Sequence, residues 1–363
     1  MKFKVPKNAL LDALSLVQNI VGSRQGIPVL SNVLIVADEN RLVFTTTDLD
    51  MTIRCSCEAE VEKTGSVTLP VKKLTGIIRE VSDGIVYVES DDNAVVSLRA
   101  GSFKSKMYGI AAKEFPKLPE TEDSIVYKIT QERFKDMLRK TFYAAAVDNS
   151  KPLLTGVLLN FEGGKLNVVA TDGRRLARYE TEVEFPEENK RDAVISQRTT
   201  AELIKTLGDK EEVIIKLSGT QISFEFGDIF ISAKLLAGTY PNYRQVIINN
   251  CANVITINRD ELLAVLRRIN ASTTSTANAM RLSFESNILT ITASSPEVGE
   301  ATDTVAIKYE GEPLTVIFNP EFMIDPLKNL TSDEIQIELN NAMSPGLIKS
   351  DIPFLYVIMP LRV

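Results

Sequence analysis

The stretch Val157–Tyr179, with the sequence VLLNFEGGKLNVVATDGRRLARY, contains the pattern on which the whole chain is built. Its two apolar runs lie on either side of Gly163–Gly164, which predicts two strands joined by a tight turn. Asp172–Gly173 marks a second turn, and a further strand begins at Arg175. The stretch therefore predicts three consecutive β-strands.

The same pattern occurs twice more, at residues 33–48 and 280–293. Positions 33 and 47 are repeated 124 residues later, at 157 and 171, and positions 161 and 170 are repeated 123 residues later, at 284 and 293. A constant offset at several points indicates an internal repeat. We therefore predict three domains with the boundaries 1–121, 122–248 and 249–363.

Each third of the chain also contains two segments with apolar residues at helical spacing, one before the repeated strands and one after them. Further short strands are predicted after the second helix. This order predicts an α+β fold made of three copies of a module with two helices and an antiparallel sheet. The predicted helices begin near Pro6, Pro70, Thr130, Thr199, Asn258 and Pro320.

Length and composition are those of a multidomain soluble protein. The chain has 363 residues, of which 44% are hydrophobic and 25% are charged. It has no run near the ~18 apolar residues that a membrane span needs. Met1–Val21 resembles a signal peptide only loosely, because Asp12, Gln18 and Asn19 interrupt its apolar core. We interpret it as an amphipathic helix and expect a cytoplasmic protein.

Cysteine and histidine usage argues against a disulfide framework and against most catalytic centres. The chain has three cysteines, Cys55, Cys57 and Cys251, a number typical of a reducing compartment. Histidine is absent. The commonest general base and the commonest metal ligand are therefore missing.

Three local features could still support an enzyme. Gly163–Lys165 lacks the spacing of a phosphate loop. Cys55 and Cys57 alternate along a predicted strand without the second pair that a zinc site needs. Asp48 and Asp172 could contribute to the carboxylate site of a hydrolase, but their equivalent positions in the repeat favour a role in turns. We predict no catalytic residue, no metal and no cofactor, with such a hydrolase as the alternative.

Charge is segregated between the predicted helices and the rest of the chain. The formal net charge is −7, whereas the six predicted helical segments together carry +5 and the remaining residues −12. If the helices share one surface, it suits the phosphate backbone of a nucleic acid, without reading its sequence. The alternative is a set of ordinary solvated helix faces. The basic residues concerned are Lys72, Lys73, Arg79, Arg133, Arg139, Lys140, Arg198, Lys205, Arg267 and Arg268.

Three motifs lie where one known family has them. They are Thr171–Ala177 (TDGRRLA), Tyr240–Arg244 (YPNYR) and Tyr356–Arg362 (YVIMPLR). With the triplicated module, they make the chain resemble the bacterial sliding clamps, the beta subunits of DNA polymerase III, over its whole length. The resemblance implies a head-to-tail homodimer closed into a six-domain ring around duplex DNA, with the helices lining the hole. Such a ring is the processivity factor of the replicative polymerase.

The resemblance also implies contacts for particular residues. Arg24 matches a loop arginine that the family uses on DNA. Ring closure would join the strand near Ser102–Tyr108, which contains Lys104 and Lys106, to the partner subunit near Glu297–Glu300. The lysines and glutamates have opposite charge, which makes such a junction plausible.

A hydrophobic pocket between domains two and three is a further implication of the resemblance. It would bind short peptide motifs of the polymerase, the clamp loader, other polymerases and repair proteins. From the residues alone, Met359–Arg362 could instead be a final buried strand. The implied pocket residues are Leu154, Thr171, Gly173, Arg174, Arg175, Leu176, Pro241, Gln245, Val246, Asn319, Phe322, Val357, Met359, Pro360, Leu361 and Arg362.

Two pocket positions depart from the family pattern. The family often has His where this chain has Arg174, and Arg where it has Gln245. Peptide preference is therefore expected to be shifted. An adaptor scaffold that binds peptides but not DNA is the second alternative for the function of the chain.

Overall fold

The computed structural model of the chain describes residues 1–21, 26–117, 124–148, 150–272, 279–295 and 299–362. The chain divides into two compact units. The first comprises Met1–Gln131 and Thr206–Leu235, and the second comprises Glu132–Lys205 and Leu236–Val363. The central third of the chain thus contributes to both units. The predicted domain ranges 1–121, 122–248 and 249–363 remain a prediction.

The described residues form six α-helices. Four of them begin directly after a strand ending in Pro, Thr or Asn, at positions close to those predicted. The helices are α1 (Lys7–Val17), α2 (Val71–Glu80), α3 (Gln131–Thr141), α4 (Gln197–Thr206), α5 (Arg259–Ala271) and α6 (Pro320–Asn329).

Strands are numbered in chain order. The first unit contains β1 (Lys2–Pro6), β2 (Asn32–Asp38), β3 (Arg41–Thr47), β4 (Met51–Glu58), β5 (Glu60–Lys63), β6 (Gly65–Pro70), β7 (Ile85–Ser90), β8 (Val95–Ala100), β9 (Phe103–Tyr108), β10 (Ile125–Thr130), β15 (Glu212–Ser218), β16 (Gln221–Phe226) and β17 (Ile229–Lys234). The second unit contains β11 (Val157–Glu162), β12 (Lys165–Thr171), β13 (Arg175–Glu182), β14 (Arg191–Ile195), β18 (Asn253–Asn258), β19 (Met280–Glu285), β20 (Ile288–Ser295), β21 (Gly299–Ala306), β22 (Leu314–Phe318), β23 (Glu334–Leu339), β24 (Gly346–Lys349) and β25 (Phe354–Ile358).

Each unit has one eight-stranded sheet and one smaller sheet, with antiparallel pairing throughout. In the first unit the strand orders are β5-β1-β7-β8-β9 and β10-β15-β16-β17-β4-β3-β2-β6. In the second unit they are β21-β20-β19-β22 and β14-β11-β12-β13-β25-β24-β23-β18. The helices pack apolar faces inward; for example, Leu74 and Ile78 of α2 are buried.

The repeated stretch forms the hairpins that its pattern predicts. Glu162 pairs with Lys165 across a two-residue turn, and Gly163 and Gly164 have φ values of 60° and 69°. Positive φ at both central residues is the condition of the hairpin turn that matches strand twist. Two-residue turns also join β2 to β3 and β19 to β20. The three copies therefore share the hairpin and its length but not the turn conformation, because only Glu39 has a positive φ in the first copy and only Asn287 in the third.

The sequence interpretation of Met1–Val21 as one helix is wrong at its start. Lys2–Pro6 is strand β1, which pairs with β5 and β7, and α1 begins only at Lys7. The buried Phe3 and Val5 alternate with more exposed neighbours, as a strand requires. The short strand was hidden because its alternation covers only five residues.

Candidate functional site

The motif at Thr171–Ala177 and the terminal motif meet as neighbouring strands in the second unit. Leu176 of β13 pairs with Val357 of β25. Beyond β25, the Met359 N–H donates to the Arg174 carbonyl at 2.9 Å, and the Leu361 N–H donates to the Ile317 carbonyl at 2.8 Å. The first bond fixes the terminal segment to the turn before β13, and the second fixes it to strand β22.

A buried apolar cluster includes side chains from the paired strands β13 and β25. Leu154, Leu176 and Val357 are all less than one tenth exposed and belong to one cluster with Tyr240 and Tyr243. The three predicted pocket residues are therefore core side chains that form a floor. The tyrosines belong to the YPNYR motif, which explains why that motif accompanies the other two.

Apolar side chains at the edge of the cluster remain accessible. Val246 is 42% exposed and Met359 is 41% exposed, although both are large hydrophobic residues. Pro360 and Leu361 are half-buried, and Arg362 is exposed. The alternative that Met359–Arg362 is a final buried strand is therefore wrong, because β25 ends at Ile358 and both Met359 and Arg362 are exposed. An apolar floor with an accessible apolar rim is suited to the anchor side chains of a peptide.

The side chain of Arg175 is 9% exposed and joins several parts of this site. Its Nε donates to Asp172 at 3.1 Å, its Nη1 to Asp325 at 2.6 Å and its Nη2 to the Tyr143 carbonyl at 2.7 Å. Its guanidinium carbon lies 4.3 Å from the centroid of the Phe322 ring, within cation–π range. Predicted pocket residues from β13 and α6 are therefore in direct contact.

The electrostatics of this network keep the guanidinium charged. Burial acts to lower the pKa of Arg175, but Tyr356, Asp325 and Asp172 together raise it above its usual value. Burial also raises the pKa of Tyr356, whose hydroxyl donates to the Phe322 carbonyl at 2.8 Å. The ring and the backbone of Phe322 are thus held by two different partners.

The remaining predicted pocket residues lie around this centre. Thr171 accepts the Gly173 N–H at 3.0 Å and donates to the Arg175 carbonyl at 2.6 Å. Asn319 caps α6 by accepting the Glu321 N–H at 2.9 Å, so it has a structural role at the rim. Gly173, Arg174, Pro241 and Gln245 are exposed.

Sequence reasoning missed several residues that shape the site. Asp325 lies 150 positions from its partner Arg175, and no local pattern marks such a pair. Arg244, in the short helix Tyr243–Val246, donates to Asn160 at 3.2 Å and to Glu162 at 2.5 Å, which holds the segment beside Val246. Only the presence of Arg244 in the YPNYR motif could have suggested it.

The basic residues predicted on the helices are mostly exposed. This holds for Lys72, Lys73, Arg79, Arg133, Arg139, Arg198, Lys205, Arg267 and Arg268. Some of them also have partners within their own unit: Arg133 donates to Thr181 at 3.1 Å, Arg268 lies 2.7 Å from Asp303, and Lys205 lies 3.9 Å from Glu202.

Lys140 departs from the expectation for a DNA-facing residue. It is 4% exposed, its ammonium lies 2.5 Å from Asp136, and it packs over the Tyr179 ring at 5.5 Å. Helical spacing places Lys140 on the same face of α3 as the buried Met137, three positions earlier, whereas Arg139 is exposed on the outward face. The prediction that Lys140 belongs to the basic residues facing DNA is therefore wrong. Arg24 and Glu297 lie outside the described residues.

The features weighed for an enzyme have structural roles. Asp48 accepts the N–H groups of Asp50 and Met51, and Asp172 accepts those of Arg174 and Arg175, which confirms their role in turns. Burial raises the pKa of the Cys55 thiol to about 12 and that of Cys57 to about 11, which disfavours the thiolate.

The described residues contain neither a metal-binding cluster nor a membrane-spanning helix. No group of three His, Cys, Asp or Glu side chains within the described ranges is placed to hold a metal ion. Among the helices that the structure describes, none combines the length and apolar character of a membrane span.

Comparison with protein families gives matches along almost the whole chain. The N-terminal, central and C-terminal domain families of the DNA polymerase III beta subunit match residues 1–119, 128–242 and 244–362, respectively. The beta sliding clamp of Chlamydia trachomatis serovar D is 33% identical over 362 residues, which cover 100% of this chain and 87% of that relative.

Solved structures give the same result. The DNA polymerase sliding clamp from Bacillus subtilis superposes with a TM-score of 0.96 at 29% identity, covering 100% of this chain and 99% of that one. The Pseudomonas aeruginosa sliding clamp bound to griselimycin has a TM-score of 0.96 at 28% identity, with 100% coverage of both chains. These likenesses confirm the predicted three-domain α+β fold.

Proposed function

The chain belongs to the bacterial beta sliding clamp family, the beta subunits of DNA polymerase III, and from this premise we propose that it is a replicative processivity factor. Two copies form a ring around duplex DNA, slide along it without reading its sequence, and bind polymerase, clamp loader and repair partners. Retention on DNA then comes from topology, so only weak attraction to phosphates is needed.

The observation that carries this proposal is the way strands pair between successive thirds of the chain. The last strand of the second third, β17, pairs with β4 of the first, and β25 of the last third pairs with β13 of the second. In both cases the last strand of one third pairs with the third of the three repeated strands in the preceding third. Two strands of these kinds have no such partner: β9, the last strand of the first third, and β21, the third repeated strand of the last third. Both are edge strands in the described part of the chain. Edge strands present unpaired backbone groups. A second copy placed head to tail pairs both edges and closes a ring.

The same rule gives a register for the junction. The fourth residue of β17, Ser232, pairs with the second residue of β4, and the fourth residue of β25 likewise pairs with the second residue of β13. The fourth residue of β9 is Lys106 and the second residue of β21 is Glu300, and both are exposed. Lys106 would therefore lie opposite Glu300 of the partner subunit, as a favourable cross-strand pair.

The exposed helix cations supply the attraction to DNA. Nine of the ten basic residues predicted on the helices are accessible, and they are distributed over several helices. Scattered lysine and arginine contacts to phosphates position a duplex but carry no sequence information. Salt screens them beyond ~10 Å at 0.1 M ionic strength, so they do not stop sliding.

The accessible apolar rim at Val246 and Met359 is the docking site for partner peptides. Apolar anchors enter over the floor of Leu176 and Val357, and polar groups such as Arg174 set orientation. Methionine adapts to differently shaped anchors, so one site can serve several partners. In this account the chain has no catalytic role and works in the cytoplasm on the DNA of the nucleoid.

Retention on DNA tests the ring. The protein is loaded by the clamp loader of the same organism onto a nicked circular plasmid, and the bound fraction is measured by gel filtration before and after linearisation. We expect stable retention on the circle, at moderate salt, and loss within minutes from the linear form. Equal retention on both forms would indicate that the protein is held by direct contacts with DNA and not by encirclement. Retention on neither form would favour an adaptor that does not bind DNA.

A truncation tests the docking site. Removal of residues 359–363 deletes the accessible Met359 but leaves β25 intact. We expect the truncated protein to remain a dimer in sedimentation analysis and to lose binding of a peptide from the C-terminus of the replicative polymerase by at least about tenfold. Wild-type peptide affinity in the truncated dimer would place the docking site elsewhere.

A further inference from the structure

The wall that α6 contributes to the pocket is held by a carboxylate on the same helix face. Asp325 follows Phe322 by three positions, so the two side chains lie next to each other along α6. The carboxylate of Asp325 binds Arg175 at 2.6 Å, and the ring of Phe322 lies under the same guanidinium at 4.3 Å. One arginine from β13 therefore contacts both the charge and the ring of α6.

The bond between Arg175 and Asp325 is the shortest of the three that the guanidinium makes. Asp172, the second carboxylate, lies on the same turn as Arg175 and binds Nε at 3.1 Å. Asp172 therefore orients the arginine relative to its own strand, whereas Asp325 links it to α6. Charge-assisted bonds of this length are stronger and more directional than neutral ones.

We propose that Asp325 is a positioning residue of the peptide pocket, an inference that rests on the docking function proposed above. By holding Arg175 over Phe322, it fixes the distance between the α6 wall and the β13 turn that carries Arg174. Without this carboxylate, the guanidinium keeps only the partners near its own strand and the Tyr143 carbonyl. The ring of Phe322 then loses its cover, and the pocket no longer matches one arrangement of peptide anchors.

The test compares Asp325→Asn with the matched control Glu321→Gln. The Asn side chain keeps the shape and one acceptor but removes the charge. Glu321 is an exposed acid one turn earlier on the same helix, and the contacts of Arg175 do not include it. Two probes are titrated calorimetrically into each full-length dimer: griselimycin, the ligand of the Pseudomonas aeruginosa relative, and a C-terminal peptide of the replicative polymerase of the same organism.

We expect Asp325→Asn to weaken both probes by about tenfold, Glu321→Gln to leave them unchanged, and Asp325→Glu to restore part of the affinity because it retains the charge. A purely structural role would lower the melting temperature without changing the affinity of the folded protein. Unchanged affinity in Asp325→Asn would overturn the inference, as would an equal loss in the control.

Two further outcomes separate this inference from the function on which it rests. Failure of the wild-type protein to bind either probe would count against the docking site itself. If Asp325→Asn does not fold, Asp325→Glu decides: weakened binding at a wild-type melting temperature supports positioning, and wild-type affinity overturns it.

Discussion

Gly173 occupies a left-handed conformation, with a φ of +88°, in the turn that leads into β13. Thr171 binds this turn at both ends, through the N–H of Gly173 and the carbonyl of Arg175. An added Cβ would meet only the Lys151 ammonium, at 3.8 Å. The requirement for glycine is therefore conformational and not steric.

Gly173→Ala tests this requirement. We expect a loss of about 1–2 kcal/mol in the free energy of unfolding, because an alanine in the left-handed region is strained. Gly76→Ala is the control: Gly76 lies inside α2, and its added Cβ would meet nothing within 4 Å. That variant should gain about 0.5–1 kcal/mol. Urea unfolding measures both, and a Gly173→Ala protein as stable as wild type would refute the argument.

At the scale of elements, α3 shows how adjacent cations can have different roles. Arg139 lies on the outward face, whereas Lys140 is buried between Asp136 and the Tyr179 ring. A buried amine with a carboxylate partner contributes to stability and leaves no charge for a phosphate. Only the outward residue is accessible for the proposed contact with DNA phosphates.

The two residues are distinguished by paired substitutions. Arg139→Ala should weaken binding to a short duplex and reduce the slope of log affinity against log salt by about one, with stability unchanged. Lys140→Ala should cost about 1–3 kcal/mol of stability and leave the salt slope as it is. Fluorescence anisotropy across a salt series, with urea unfolding, gives both quantities. The reverse pattern would contradict this assignment.

The elements with strong periodicity could be predicted from the sequence, and the contacts between distant ones could not. The hairpin at Gly163–Gly164 and the start of a helix near Asn258 depend on neighbouring residues only, and the structure confirms both. The four-residue strand β5 was missed because its sequence, EVEK, is mostly polar and its pairing with β1 is distant in the chain. Asp325 was missed for the same reason.

The motifs indicate where the proposed pocket lies but not the structural role of each residue. Leu154 and Val357 are floor residues, Asn319 is a helix cap, and Met359 is an accessible rim residue. These roles differ because the residues differ in burial. A sequence pattern indicates which residues within a strand are buried, but it does not indicate the burial of residues just beyond the end of the strand.

At the scale of the whole molecule, the repeat explains both the fold and the proposed assembly. At each internal junction, the last strand of one third pairs with the third of the repeated strands in the third before it: β17 pairs with β4, and β25 pairs with β13. The rule leaves β9 and β21 as edges in the described part of the chain. The proposed dimer applies the internal rule twice more, so it needs no new type of contact.

Encirclement is the central claim, and a covalently closed ring tests it most directly. Cysteines replace Lys106 and Glu300 in a chain whose three native cysteines are changed to alanine, the protein is loaded on a circular plasmid, and both junctions are oxidised. The plasmid, before and after linearisation, is then separated by gel electrophoresis in sodium dodecyl sulfate, and the protein that migrates with it is measured. We predict that the doubly cross-linked dimer stays with the intact circle under denaturing conditions and leaves once the DNA is cut; release of that dimer from intact circular DNA would contradict the account.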